Sequence, residues 1–300
     1  MRYENRTPPE GINTSVRSPL REFVRLSLFA LVVLMAVGIF LNFSGSLLGG
    51  LLPFKAETWI TQRVDQVMQE ADQPSPFGES VRDSAGDTTD PSAAALTQYL
   101  LQLADRVEAA LELPDPVSIT LHYSDDDVFN AYATLGGHVY LFKGLLKYLP
   151  NENALAMLMA HEFAHVGQRH PARSVGGGLT LAVGSSVLLG AAAFENRFFN
   201  MTSALASTRF SRAMETEADI VALAAVNAMY GHVNGANDLF ELFEDMRQGG
   251  GQEFLGSFFS THPLDDQRIE KLDDEAAANN WMTEGAITPL PDAFQRWLGD

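Results

Sequence analysis

Cysteine is absent from the 300 residues, which excludes a disulfide framework, a thiolate nucleophile, a lipoprotein cysteine anchor and a thiolate-held metal. Any metal in this chain must be held by histidine and carboxylate. Basic residues are scarce as well: 20 Lys and Arg stand against 38 Asp and Glu, a net charge of −18. Five Arg and three Glu lie in the first 25 residues, so the remainder carries −20, a field that repels phosphate backbones and argues against nucleic acid as a partner. Apolar content is ample. With 46% hydrophobic and 19% charged residues the chain can bury a sizeable core, in one or two domains.

Charge is missing altogether from Leu26 to Leu41, where Ser27 is the one polar residue, and apolar character resumes at Leu47, Leu48, Leu51 and Leu52. With its flanks this reaches the roughly 20 residues that cross a bilayer as a helix. Arg17, Arg21 and Arg25 crowd its N-terminal side and Lys55 is the first base beyond it, so the positive-inside rule predicts a cytoplasmic tail at 1–22, an anchor at 23–52 and the rest outside. A cleaved signal peptide with a weak small-x-small site at Ser44 and Ser46 is the rival; the tail is long for its charged region and the apolar run long for its core.

Ala56 to Ala71 has helical spacing at Trp59, Ile60, Val64 and Val67, whereas the Pro, Ser, Gly and Asp of Gln73 to Ser92 mark a linker. The organisation expected is a helix and linker over 53–94, then a catalytic domain over 95–300. Leu96, Leu100, Leu103, Val107 and Leu111 form the stripe of a helix ending before Pro114, and Val117, Ile119, Leu121 and Tyr123 alternate as a half-buried strand. Asp125, Asp126 and Asp127 lack the spacing of a calcium loop and read as a solvated turn. After the Gly136-Gly137 turn, His138 to Phe142 is either a sheet edge, where an extended peptide adds as a strand, or simply the next core strand.

The centre of the chain is Asn151 to His170, read as one helix carrying His161, Glu162 and His165. Residues four apart share a helix face, so the two histidines can close on one ion with Glu162 beside it, the HExxH spacing of zinc proteases. Pro171 is expected to end regular structure, which makes His170 a helix-end residue complementing the dipole. Val175 to Phe194 is apolar but broken by five glycines. One crossing there would put the two histidines and everything after Phe194 on opposite sides, so a buried or membrane-dipping hairpin is expected. Two histidines leave zinc short of three protein ligands. Ser211 to Asp219, SRAMETEAD, opens another helical run. Glu215 and Asp219 share a face there, so one can bind the ion while the other supports a ligating histidine, and Glu217 points elsewhere.

HEFAH followed about fifty residues later by SRxxExEAD resembles the zinc peptidase family of the CAAX prenyl endopeptidase, HtpX-type and mitochondrial Oma1-type proteases, a branch of the gluzincins. NAYATLGGHVYLFKGLL upstream and STHPLDDQRI, Ser260 to Ile269, downstream resemble further segments of that family, so the likeness runs from about Val117 to Leu272. It implies an α+β, mainly helical, zincin-like domain with a small sheet. It implies Zn2+ bound by His161, His165 and Glu215, Glu162 as general base, Asp219 orienting His161, and Arg212 as a partner for local carboxylates. His262 is implied near the metal, covering it or hydrogen-bonding the transition state; a loop-capping histidine before Pro263 is the plainer reading. The many spanning helices of the prenyl endopeptidase have no counterpart, so prenyl processing is not expected, nor is the helical-repeat extension of some relatives. The expectation is a single-pass inner-membrane endopeptidase with a periplasmic catalytic domain. It would cut unfolded or misassembled proteins in envelope quality control, without an acyl-enzyme. A zinc-containing holdase or assembly factor is the alternative.

Overall fold

The computed structural model describes residues 19–70, 80–81, 90–176, 209–249, 252–262 and 267–298. In chain order these form α1 (Pro19–Leu51), α2 (Phe54–Glu70), α3 (Pro91–Leu111), β1 (Thr120–Ser124), β2 (Ala131–Ala133), β3 (His138–Phe142), α4 (Lys143–Leu146) and α5 (Glu152–Gly167). A helical stretch over 170–176 follows, then α6 (Arg212–Tyr230), α7 (Asp238–Gln248), α8 (Gln252–Thr261), α9 (Arg268–Ala278) and α10 (Phe294–Trp297). The architecture is mainly helical with one small three-stranded sheet. Most of the linker, the tail to residue 18 and the hairpin from 177 on lie outside the described residues.

α5 is the axis of the core. Every residue from Glu152 to Val166 is buried, which is why this helix lacks a one-sided apolar stripe. Asn151 caps it, its side chain accepting from Ala154 N at 2.8 Å. α6 packs along α5, and α3 lies against both, closing a core that includes Leu100, Leu103, Leu158, Phe163, Leu223 and Val226. α6 is delimited by Ser211, which accepts from Met214 N, and by Gly231 in the left-handed region at φ 76°. Glu152 ties the three together: it accepts from Tyr99, Arg106 and Tyr230 at 2.8–3.0 Å.

The sheet runs β1-β3-β2, with β1 parallel and β2 antiparallel to β3. His138–Phe142 is therefore the central, core strand, and the edge alternative fails because both of its sides are already paired. β1 starts at Thr120, later than its alternation suggests, because Val117 N is turned back onto Pro114 O. The turn before β3 needs glycine: Gly137 has φ 85°, and a Cβ there would lie 2.0 Å from Ser118 O. α2 packs on this turn with Phe54, Glu57, Ile60, Thr61 and Val64 buried, while Trp59, placed by its spacing on that stripe, is 65% exposed. Glu57 accepts from Gly136 N and from the Arg169 guanidinium, so α2 is latched to the chain just beyond α5 as well.

Across β1 and β3, His122 Nε2 lies 2.9 Å from His138 Nδ1, and His122 stacks on Tyr140. Burial, reinforced by His122, lowers the His138 pKa from 6.5 to about 4. An imidazole of lowered folded pKa binds more protons when unfolded, so stability is complete above about pH 6.5 and falls as the pH drops towards 4. The depression corresponds to roughly 3 kcal/mol. Urea unfolding between pH 7 and 4 is expected to show this loss, and His138→Gln to flatten it; an unchanged slope would assign the acid lability to other groups.

α1 overlaps the anchor expected over 23–52, and the side chains of Phe23, Leu26, Phe29, Leu31, Val32 and Phe40 are exposed along it. Among the described residues no helix is long and apolar enough to cross a membrane.

Candidate metal centre

α5 and α6, packed side by side, bring their polar residues to one point. His161 and His165, one turn apart on α5, present Nε2 atoms 3.0 Å from each other. Glu215, in the first turn of α6, places Oε2 at 3.6 Å from His161 Nε2 and Oε1 at 3.5 Å from His165 Nε2. His262, just beyond α8, adds Nδ1 at 3.4 Å from His161 Nε2 and 3.2 Å from Glu215 Oε1, and its Nε2 is 3.4 Å from Glu162 Oε1. Donor atoms of His161, His165, Glu215 and His262 all lie within 4.8 Å of one another, and all four residues are buried. Imidazole and carboxylate donors at this spacing fit zinc, for which two histidines and a glutamate are a catalytic set. Both Glu162 oxygens are buried without a hydrogen-bond partner.

A shell of partners holds the donors. Asp219 Oδ1 is 2.9 Å from His161 Nδ1, one turn beyond Glu215 on α6. Arg268 of α9 grips Asp219 with two bonds, Nε to Oδ2 at 2.7 Å and Nη2 to Oδ1 at 2.6 Å, while its Nη1 is 3.2 Å from Glu215 Oε2. Phe210 stacks on His165 with ring centres 3.9 Å apart. His170 Nδ1 lies 2.9 Å from His165 Nδ1, and His170 Nε2 lies 3.1 Å from Glu217 Oε2.

The electrostatics follow from this packing. Burial opposes charge on His161, yet Asp219 and Glu215 raise its pKa to about 10. His165, buried beside other imidazoles, is pushed well below 6.5, and burial takes His170 to about 4 against the pull of Glu217. Burial also works against charge on Glu215, but His262, His161 and His165 hold it far below the usual carboxylate range. Asp219 is likewise kept low, despite burial, by Arg268 and His161. Burial raises Glu162, with His262 and His161 opposing.

The structure thus gathers all six residues singled out in the sequence, His161, Glu162, His165, Glu215, Asp219 and His262. Two placements differ from expectation, those of His170 and Arg212, while Glu217 points away from the donors as expected. Pro171 opens a new helical stretch instead of ending regular structure, and Arg169, at φ 62°, turns His170 back onto His165. Glu217 is bonded to that histidine. Arg212 is exposed, and the guanidinium that meets the local carboxylates is Arg268. Arg268 lies inside the STHPLDDQRI segment, but its partner is 49 residues away and nothing local joins them.

Two histidines with a glutamate between them on one buried helix, completed by a carboxylate from a second, define an HExxH metallopeptidase centre. The profile of peptidase family M48 matches residues 93–276, and the chain belongs to that family of zinc-dependent metallopeptidases. It is 32% identical over 207 residues to the mitochondrial metalloendopeptidase OMA1 of Schizosaccharomyces pombe, covering 67% of this chain and 58% of that protein. The beta-barrel assembly-enhancing protease of Escherichia coli is 31% identical over 221 residues, 70% of this chain and 43% of its own. The mitochondrial metalloendopeptidase OMA1 of Danio rerio is 28% identical over 208 residues, 66% and 43% respectively. The chain spans about half the length of these relatives.

Proposed function

We propose that this chain is a membrane-anchored zinc endopeptidase acting on unfolded or misassembled envelope proteins. The observation that carries the reading is the convergence of His161, His165 and Glu215 beside the buried Glu162 carboxylate, which makes no hydrogen bond. His161, His165 and Glu215 would hold the ion. When bound, zinc acidifies a water and polarises the scissile carbonyl. Glu162 takes a proton from the attacking water and returns it to the leaving amine. Asp219, fixed by Arg268, holds the His161 ring so that Nε2 faces the ion. His262, between Glu162 and Glu215, is assigned to the same catalytic centre.

The anchor over 23–52 rests on the sequence, where Leu26 to Leu41 is charge-free and apolar and Arg17, Arg21 and Arg25 crowd its N-terminal side, and on the apolar side chains exposed along α1. The charge asymmetry favours a single inner-membrane pass with the N-terminus cytoplasmic and the catalytic part periplasmic. The assembly-enhancing role in the name of the Escherichia coli relative supports an envelope substrate class. The whole chain, purified in detergent, is expected to cleave an unfolded polypeptide, to stop on chelation and to recover with one equivalent of zinc. Chelator-resistant cleavage, or none at full zinc occupancy, would sink the reading. Alkaline extraction of membranes is expected to leave the protein in the pellet with residues 1–46 still attached.

A further inference from the structure

His161 and His165 present Nε2 to the same point, and each turns Nδ1 away from it. Behind His161 stands a carboxylate, Asp219. Behind His165 stands another imidazole, His170, whose far nitrogen meets Glu217. We infer that Glu217, acting through His170, is a positioning group that fixes the tautomer of His165 so that Nε2 is bare towards the metal. The inference rests on the ligand assignment proposed above.

The two facing Nδ1 atoms share one hydrogen, and its owner decides whether His165 can ligate. If His170 owns it, neutral His165 carries its hydrogen on Nε2, aimed at the ion position, and offers no lone pair there. If His165 owns it, Nε2 is free. Glu217 makes the choice from the far side of the His170 ring. An ionised carboxylate only accepts, so it takes the hydrogen of His170 Nε2 at 3.1 Å; neutral His170 then has a bare Nδ1, which must accept from His165 at 2.9 Å. The two ligands are thus oriented by different devices, one carboxylate directly and one through an imidazole.

Backbone geometry builds this contact. His170 follows α5 by only three residues, and a continuing helix would carry its ring past His165. Arg169 reverses the chain with a left-handed φ of 62°, and its guanidinium is tied to Leu52 O and Glu57. His170 is fully buried as a result. Glu217 is about half exposed and also lies 3.5 Å from Arg173 Nη1, so the chain of bonds ends at the surface.

The test titrates zinc into stripped full-length protein against a chromophoric chelator, and records the d–d bands of the cobalt form. His170→Phe is expected to weaken zinc binding about 10- to 100-fold and to shift the cobalt bands. His170→Gln, whose amide oxygen still accepts from His165, is expected to recover part of that loss. Glu217→Ala is expected to weaken binding by about tenfold, and Glu217→Gln, whose amide can either accept from or donate to His170, to fall between it and wild type. A role in packing alone would lower the melting temperature of the zinc-free variants and leave zinc affinity and the cobalt bands unchanged; that result overturns the inference. Should His170→Phe fail to fold, Glu217→Ala decides, and unchanged affinity in it overturns the relay. Failure of the ligand assignment looks different: His165→Ala would then keep wild-type zinc affinity.

Discussion

Glu162→Gln is expected to keep one zinc per chain and to lose about 10²- to 10⁴-fold in cleavage of an unfolded polypeptide. The side chain is fully buried, both its oxygens lack hydrogen bonds, and it is outside the group of donors that converge for a metal. The amide is nearly isosteric, so packing around α5 is retained. It cannot take up a proton from water, so the lost quantity is the proton transfer itself. Burial already raises the Glu162 pKa, with His262 and His161 opposing, which moves the group towards the range a general base needs. Metal analysis and a rate measured on the same preparation decide the matter. Undiminished cleavage would show that another group is the base, and loss of zinc would place Glu162 among the ligands.

Arg268→Ala is expected to cost about 3–5 kcal/mol in the zinc-free protein, because it takes from two buried carboxylates the guanidinium they share and leaves them only their histidine neighbours. Arg268 is 4% exposed, holds Asp219 through two short bonds, approaches Glu215 at 3.2 Å, and stacks over Phe240 at 4.8 Å. Lysine cannot reproduce the fork, so Arg268→Lys should recover little of the loss. Adding Asp219→Asn to Arg268→Ala removes one of the orphaned charges and should restore part of it. Equilibrium urea unfolding of these variants beside the wild type measures the coupling. A loss under about 1 kcal/mol for Arg268→Ala, the size of an exposed pair, would mean that water reaches the site and that the ion pair is not what joins α9 to α6.

Legibility in the sequence followed the range of the interaction. His161, Glu162 and His165 are set by one helical turn, and Glu215 and Asp219 by another, so their side-by-side placement could be read from spacing alone. The burial of α5 on all sides has an equally local origin: its apolar residues surround the helix instead of lining one face. Trp59 shows the limit of such reading, since periodicity marks a face without saying how wide it is. The central place of β3 was equally out of reach, because strand alternation fixes which side chains point inward and leaves the neighbours open.

What the sequence by itself determined is the chemistry: with no cysteine, a metal had to fall to histidine and carboxylate, and HEFAH with SRAMETEAD supplied both at helical spacing. The tertiary structure alone decided the arrangement around them. Arg268 reaches Asp219 across 49 residues, His262 reaches Glu215 across 47, and His170 meets His165 because one left-handed residue reverses the chain. Side-chain pairs within a turn are imposed by backbone geometry, whereas the long-range contacts exist only once α6, α8 and α9 have packed around α5.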